Sequence, residues 1–152
     1  MAIDDDVRAL EAVPLFAALT TEQLRLIAFG TEHLSLSKGR ELFRVDERAD
    51  CGFLILSGQL NLFEDKGINR RIVGTAGPGS LVGELALIAD QKRPCGAVAA
   101  EQTEVIRISR SLFRRVLEEY PELAHRLHGQ LQARFAGFLG EITDLDVKFA
   151  DK

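Results

Sequence analysis

Between His33 and Ile108 the chain is cut by glycine-bearing turns roughly every ten residues, which leaves no room for helices and dictates short strands. Glu41-Leu42-Phe43, Phe53-Leu54-Ile55-Leu56, Leu60-Asn61-Leu62-Phe63 and Glu104-Val105-Ile106-Arg107-Ile108 have strand length and β-forming residues. Lys38-Gly39, Ser57-Gly58, Lys66-Gly67 and Gly77-Pro78-Gly79 are the turns between such runs. Strands this short, in such succession, predict a sandwich or jelly roll.

Both flanks switch to helical period. A short helix is expected around Asp4 to Ala12, ending near Pro14, with Leu15 and Phe16 as anchors. Thr20-Thr21-Glu22-Gln23 has the form of a capping box, in which the Thr20 hydroxyl serves an orphan amide and Gln23 reaches back. Leu24, Ile27 and Ala28 follow at helical spacing, and Gly30 is the expected stop. After the strands, Ser109 or Ser111 can cap a short helix through Leu117, and Pro121 suits the first turn of a longer one. In that longer helix Leu131, Phe135, Phe138, Ile142, Leu145 and Phe149 step in a heptad pattern. The seam predicts a homodimer; packing on the chain's own sheets is the alternative.

At 152 residues, 46% hydrophobic and 28% charged, the chain suits one globular domain with its own core. No apolar run approaches the ~20 residues of a membrane-spanning helix, and the acidic opening is unlike a signal peptide, so a cytoplasmic location is expected. Cys51 and Cys95 share no CxxC spacing and are read as reduced thiols. A net charge of -4 disfavours a broad nucleic-acid surface. It leaves open the capture of one small anion by a local nest of donors.

One segment carries candidate chemistry: Gly77-Pro78-Gly79-Ser80-Leu81-Val82-Gly83-Glu84-Leu85-Ala86-Leu87-Ile88, then Asp90-Gln91-Lys92-Arg93-Pro94-Cys95. A glycine turn leads into one apolar helical turn, whose free amides suit an anion. Gly83 permits close approach to the backbone. Arg93 can pair bidentately with a phosphate. Glu84 would repel a phosphate, so accepting a hydrogen bond from a sugar hydroxyl is a better task for it.

These residues resemble a known family. Gly83-Glu84-Leu85-Ala86-Leu87-Ile88 followed by Arg93-Pro94 is similar to the phosphate-binding cassette of cyclic-nucleotide-binding domains, as in catabolite activator proteins, regulatory subunits of cAMP-dependent protein kinase and cyclic-nucleotide-gated channels. Val13-Pro14-Leu15-Phe16, Lys38-Gly39 through Phe43, Ala49-Asp50 through Ser57-Gly58, Glu101-Gln102-Thr103-Glu104 and Tyr120-Pro121-Glu122-Leu123 extend the resemblance over most of the chain. It implies an α+β fold, an antiparallel β-roll (jelly roll) of about eight strands between N-terminal and C-terminal helices. The expected layout is a single domain over 1–152. It comprises N-terminal helices over 1–32, a β-roll over 33–108 with its cassette at 79–95, and C-terminal helices over 109–152 that include a long lid or dimer helix.

The resemblance further implies that Arg93 binds the cyclic phosphate, with Leu85, Ala86, Pro94 and Cys95 around it. Glu84 would bind the ribose 2'-hydroxyl beside Gly83, Val73 and Val82 would line the pocket, and residues of Leu123 to Phe138 would close it as a lid. The implied function is a regulatory module, with no enzymatic activity and no cofactor, that binds cAMP ahead of cGMP and signals by rearranging its C-terminal helices to an effector protein that the sequence does not identify.

The sequence departs from the family pattern at the residue after the arginine, usually Ser, Thr or Ala. Pro94 has neither an amide proton nor a hydroxyl. A lost hydrogen bond to a charged group costs about 1.5–3 kcal/mol, a ten- to hundredfold loss of affinity. A hydroxyl there favours guanine in the family, so its absence tilts the expectation to cAMP. Gly96 and Val82 replace a common Thr and Phe, and Asp46 replaces a turn glycine, which Asp tolerates by visiting left-handed backbone.

Four alternatives stand beside this reading. A degenerate cassette would leave a protein-interaction module. The sensor part of a Crp-type transcription regulator would need a helix-turn-helix beyond Lys152, so no DNA partner is expected of this chain. Glu122, His125 and His128 could share a stray metal, but solvated helix side chains explain them as well. Cys95 beside Arg93 invites a lowered thiol pKa, with a packed strand thiol as the plainer alternative.

Overall fold

The computed structural model describes residues 2–66, 69–87, 89–123 and 125. Helix α1 (Ala2–Glu11), a 3-10 turn (Pro14–Phe16) and helix α2 (Thr21–Gly30) precede the strands, and helix α3 (Arg110–Glu119) follows them. The predicted capping box opens α2: the Gln23 amide donates to Thr20 Oγ1 at 3.2 Å and the Thr20 amide to Gln23 Oε1 at 2.9 Å. Gly30 is the last residue of that helix, and close packing favours glycine there, because a Cβ would come within 2.6 Å of Leu112 on α3. Of the two candidate caps, Ser109 serves α3, accepting from the Leu112 amide at 3.1 Å.

The strands run β1 (Glu32–Leu36), β2 (Glu41–Phe43), β3 (Arg48–Ala49), β4 (Cys51–Ser57), β5 (Leu60–Lys66), β6 (Asn69–Ala76), β7 (Leu81–Val82), β8 (Gln91–Lys92), β9 (Gly96–Ala99) and β10 (Thr103–Ser109). Two four-stranded sheets, β1-β10-β4-β7 and β2-β9-β5-β6, are wholly antiparallel, and β3 pairs with β8 as a separate ribbon. This is the expected antiparallel β-roll with helices at its ends. The β3–β8 ribbon is too short to leave a period in the sequence.

Strand β4 explains why Phe53 to Leu56 reads as an unbroken apolar run. Phe53 and Ile55 face the interior of the roll with Leu36, Phe43, Leu60, Ala97 and Val105. Leu54 points the other way, into a second core with Leu10, Phe16, Ile27, Ile106, Ile108 and Phe113. Helices therefore cover the outer face of the first sheet, and both faces of β4 are dry. Phe16 and Phe113 meet in that helical core, their ring centroids 6.0 Å apart. Leu123 is buried in the same core, whereas the expected seam from Leu131 to Phe149 and the lid candidates 126–138 lie outside the described residues.

Candidate functional site

The site is assembled from two backward-facing turns and one ribbon. Asp46 adopts the left-handed conformation expected of it, φ 66°, and so turns its amide onto the Arg93 carbonyl at 2.9 Å. The Arg93 amide in turn donates to Glu47 O at 2.7 Å, which fixes the backbone just past β8. On the opposite wall the Gly77–Ser80 turn is pinned to β4, with the Gly79 amide on Ile55 O at 2.9 Å and the Ile55 amide on Ser80 O at 3.0 Å. β7 then lies along Phe53 and Leu54 and delivers Gly83, φ 78°, to the start of a 3-10 turn over Glu84–Leu87.

Arg93 is 4% exposed, a rare condition for an arginine. Its Nη2 donates to Cys51 O at 2.8 Å and approaches Cys51 Sγ at 3.4 Å. The guanidinium lies 4.4 Å from the Phe43 ring centroid and 5.6 Å from that of Phe53, so stacking and cation–π attraction hold its plane. Nη1 is buried and donates to no described residue. A Cβ at Gly83 would collide with that same Nη1, so the glycine is required twice, by its positive φ and by the arginine. An arginine at the wall of an apolar hollow, with one nitrogen making no hydrogen bond to a described residue, suits an anion.

The hollow has a volume of about 350 Å³. Arg93, Gly83, Glu84, Leu85, Val82, Pro94 and Cys95, all expected at the site, line it together. Glu84 is half-buried at the first position of the 3-10 turn. Ala86, also expected at the site, is fully buried and is not among the lining residues; its amide donates to Gly83 O at 3.1 Å. Val73 on β6 is 45% exposed and is not among the lining residues; Ala76 and, across on β5, Leu62 line that wall instead. Phe43, Ser80, Leu81 and Gln91 complete the lining and were not anticipated. Counting the strand alternation back from Ala76 turns Val73 outward, whereas the two-residue β8 offers no period from which to place Gln91.

Neither thiol has the electrostatics of a redox sensor, which corrects the idea of a lowered pKa at Cys95. Burial pushes the Cys95 thiol up, and the nearby Arg93 opposes this only in part. Burial likewise raises Cys51, against the pull of Arg107 and Arg93. A raised thiol pKa means less thiolate near neutral pH. Iodoacetamide is therefore expected to label both cysteines more slowly in the folded chain than in urea, as read by mass spectrometry. Faster labelling of folded Cys95 would show that the arginine wins. Among the described residues, no group of three His, Cys, Asp or Glu side chains is placed to hold a metal ion.

The cassette turn also reaches the C-terminal side of the molecule. Leu87 is fully buried in the helical core with Ile108, Phe113, Val116 and Leu123. Asp90, just beyond the turn, pairs with Arg48 at 3.0 Å and lies 3.8 Å from Arg110 at the start of α3. Arg48 first, and Arg110 and Arg114 more weakly, hold the Asp90 carboxyl below the usual carboxylate range. Its pairing is therefore retained down to acidic pH and lost only as pH falls through that lowered value.

Comparison with known proteins matches residues 33–120 to the family model for the cyclic nucleotide-binding domain. A solved cyclic nucleotide-binding-like protein from Brucella abortus is 54% identical, with a TM-score of 0.71 over 76% of this chain and 99% of that one. The cyclic AMP receptor protein of Thermus thermophilus is 29% identical over 126 residues, 82% of this chain and 58% of that protein. The lysophospholipase nte1 of Neurospora crassa is 27% identical over 125 residues, 80% of this chain and 8% of the enzyme. The chain thus spans about 8% of the length of the first curated relatives it matches.

Proposed function

The chain belongs to the cyclic nucleotide-binding domain family, and from that premise we propose that it is a cAMP receptor module whose occupancy is relayed through its C-terminal helices. The observation that carries this reading is the buried Arg93, with Nη1 unspent beside Gly83 at the wall of an apolar cavity. In this reading Arg93 grips the cyclic phosphate and Glu84 accepts a hydrogen bond from the ribose 2'-hydroxyl. Leu85 and Cys95 border the phosphate, and Val82, Leu62 and Ala76 supply apolar contact to sugar and base. The absence of a hydroxyl at Pro94 favours adenine over guanine, and the name of the Thermus thermophilus relative accords with cAMP.

Relay of the signal is supported by Leu87. A ligand that draws Glu84 and Leu85 inward pulls on a turn whose far side is packed against Phe113 and Leu123. The two reduced thiols suit a cytoplasmic setting, and the effector and any second copy of the chain would meet the C-terminal helices.

The test is a calorimetric titration of the purified, nucleotide-stripped protein with cAMP and then cGMP. Saturable binding at micromolar concentration or below, tighter for cAMP, is the expected result. Absence of heat and of displacement with either nucleotide would overturn the reading.

A retired cassette is the second reading, favoured by Pro94 and by the Ala86 amide already engaged with Gly83 O. Pro94→Ser separates the two. In a working receptor the restored amide and hydroxyl are expected to tighten cAMP about tenfold. In a retired site they change nothing.

A further inference from the structure

We infer that Gln91 is a second phosphate ligand of this cavity, supplying the neutral donor that Pro94 cannot. The inference rests on the cyclic-nucleotide reading of the site.

Gln91 opens β8 and Arg93 follows just past its end, and both side chains turn to the same side of the chain, the cavity side. That side is the inner one: Gln91 stands opposite Ala49 of β3, which is fully buried, whereas the intervening Lys92 stands opposite Arg48 and both are exposed. Gln91 and Arg93 accordingly both line the cavity. The Gln91 carboxamide makes no hydrogen bond to a described residue, and neither does Arg93 Nη1. Pro94, the next residue along, is exposed at the rim and has no proton to give.

A carboxamide is well matched to this task. Its NH2 group donates two hydrogen bonds without adding a second charge beside Arg93. It reaches farther than the serine or threonine hydroxyl it would stand in for, which its position three residues before Pro94 requires. Ser80 also lines the cavity, but on the opposite wall, on the Gly77–Ser80 turn. Gln91 is thus the carboxamide donor on Arg93's own wall, stronger than the weakly donating Cys95 thiol.

Calorimetry with cAMP and cGMP on wild type, Gln91→Ala, Gln91→Glu and Gln91→Ala/Pro94→Ser tests this, with thermal melts as a control for folding. Gln91→Ala is expected to weaken both nucleotides equally, about tenfold, because the phosphate is common to them. Gln91→Glu, nearly the same shape, is expected to weaken them about thirtyfold, since its carboxylate faces the phosphate. Adding Pro94→Ser to Gln91→Ala should bring affinity back to within about threefold of wild type. Equal affinities for wild type and Gln91→Ala, or a loss confined to one nucleotide, would overturn the inference while leaving the receptor reading intact. If wild type itself bound neither nucleotide, the receptor reading would fall and the inference with it.

Discussion

Arg93→Ala is expected to lower cAMP affinity on the order of a thousandfold while leaving the fold in place. The loss follows from what the guanidinium is given to do. Nη2 is committed to Cys51 O, the plane is held against Phe43, and Nη1 lies buried beside Gly83 at the cavity wall with no partner among the described residues. Two charge-assisted hydrogen bonds to a phosphate, at about 1.5–3 kcal/mol each, account for that magnitude. The fold tolerates the change because Arg93 Nη1 is a buried donor with no partner among the described residues, and its removal relieves that cost. The stacking on Phe43 and the bond to Cys51 O are lost, so the melting temperature should move by only a few degrees. Unchanged affinity by calorimetry would remove Arg93 from the site. A collapse of the melt would show that the arginine serves the roll rather than the ligand.

Gly83→Ala is expected to damage both properties. At φ 78° a Cβ costs about 1–2 kcal/mol of backbone strain. The same Cβ occupies the place of Arg93 Nη1, and the arginine cannot retreat because Phe43, Phe53 and Cys51 O fix it. Chemical denaturation should show a loss of about 2–3 kcal/mol, and cAMP affinity should fall about a hundredfold as the guanidinium tilts. Retained affinity at reduced stability would mean that the turn shifts and the arginine does not.

The cassette was legible because its chemistry depends on residue type at fixed spacing. Glycine before a glutamate, and an arginine nine residues later, survive as a pattern whatever the surrounding packing. Helix ends were legible for a similar reason, since the Thr20–Gln23 box and the Ser109 cap are local hydrogen-bonding devices. Asp46 was readable too, because few side chains accept a left-handed turn. Strand phase was not. Ile72 and Val73 are both apolar and both about half exposed, so composition gave no way to choose the inward residue. A register shift in the β5–β6 pairing, between Leu62 and Phe63, further breaks the count along that wall. Gln91 escaped because a two-residue strand has no period of its own, and its direction is set by pairing with β3 more than forty residues earlier. The close fit of Gly83 to Arg93 is likewise a contact between segments, which spacing alone does not reveal.

Leu87 has a further consequence. It shares one 3-10 turn with Glu84, so the cavity wall and the helical core are two sides of a single piece of backbone. Occupancy and packing are then thermodynamically linked, and linkage runs in both directions with equal strength. A ligand that tightens the turn makes the helices harder to detach, and a partner that holds the helices in that arrangement makes the ligand harder to release. If the chain is the receptor proposed above, an affinity measured on it alone reflects the packing of Leu87 against α3, and a partner that altered that packing would retune the pocket without touching it.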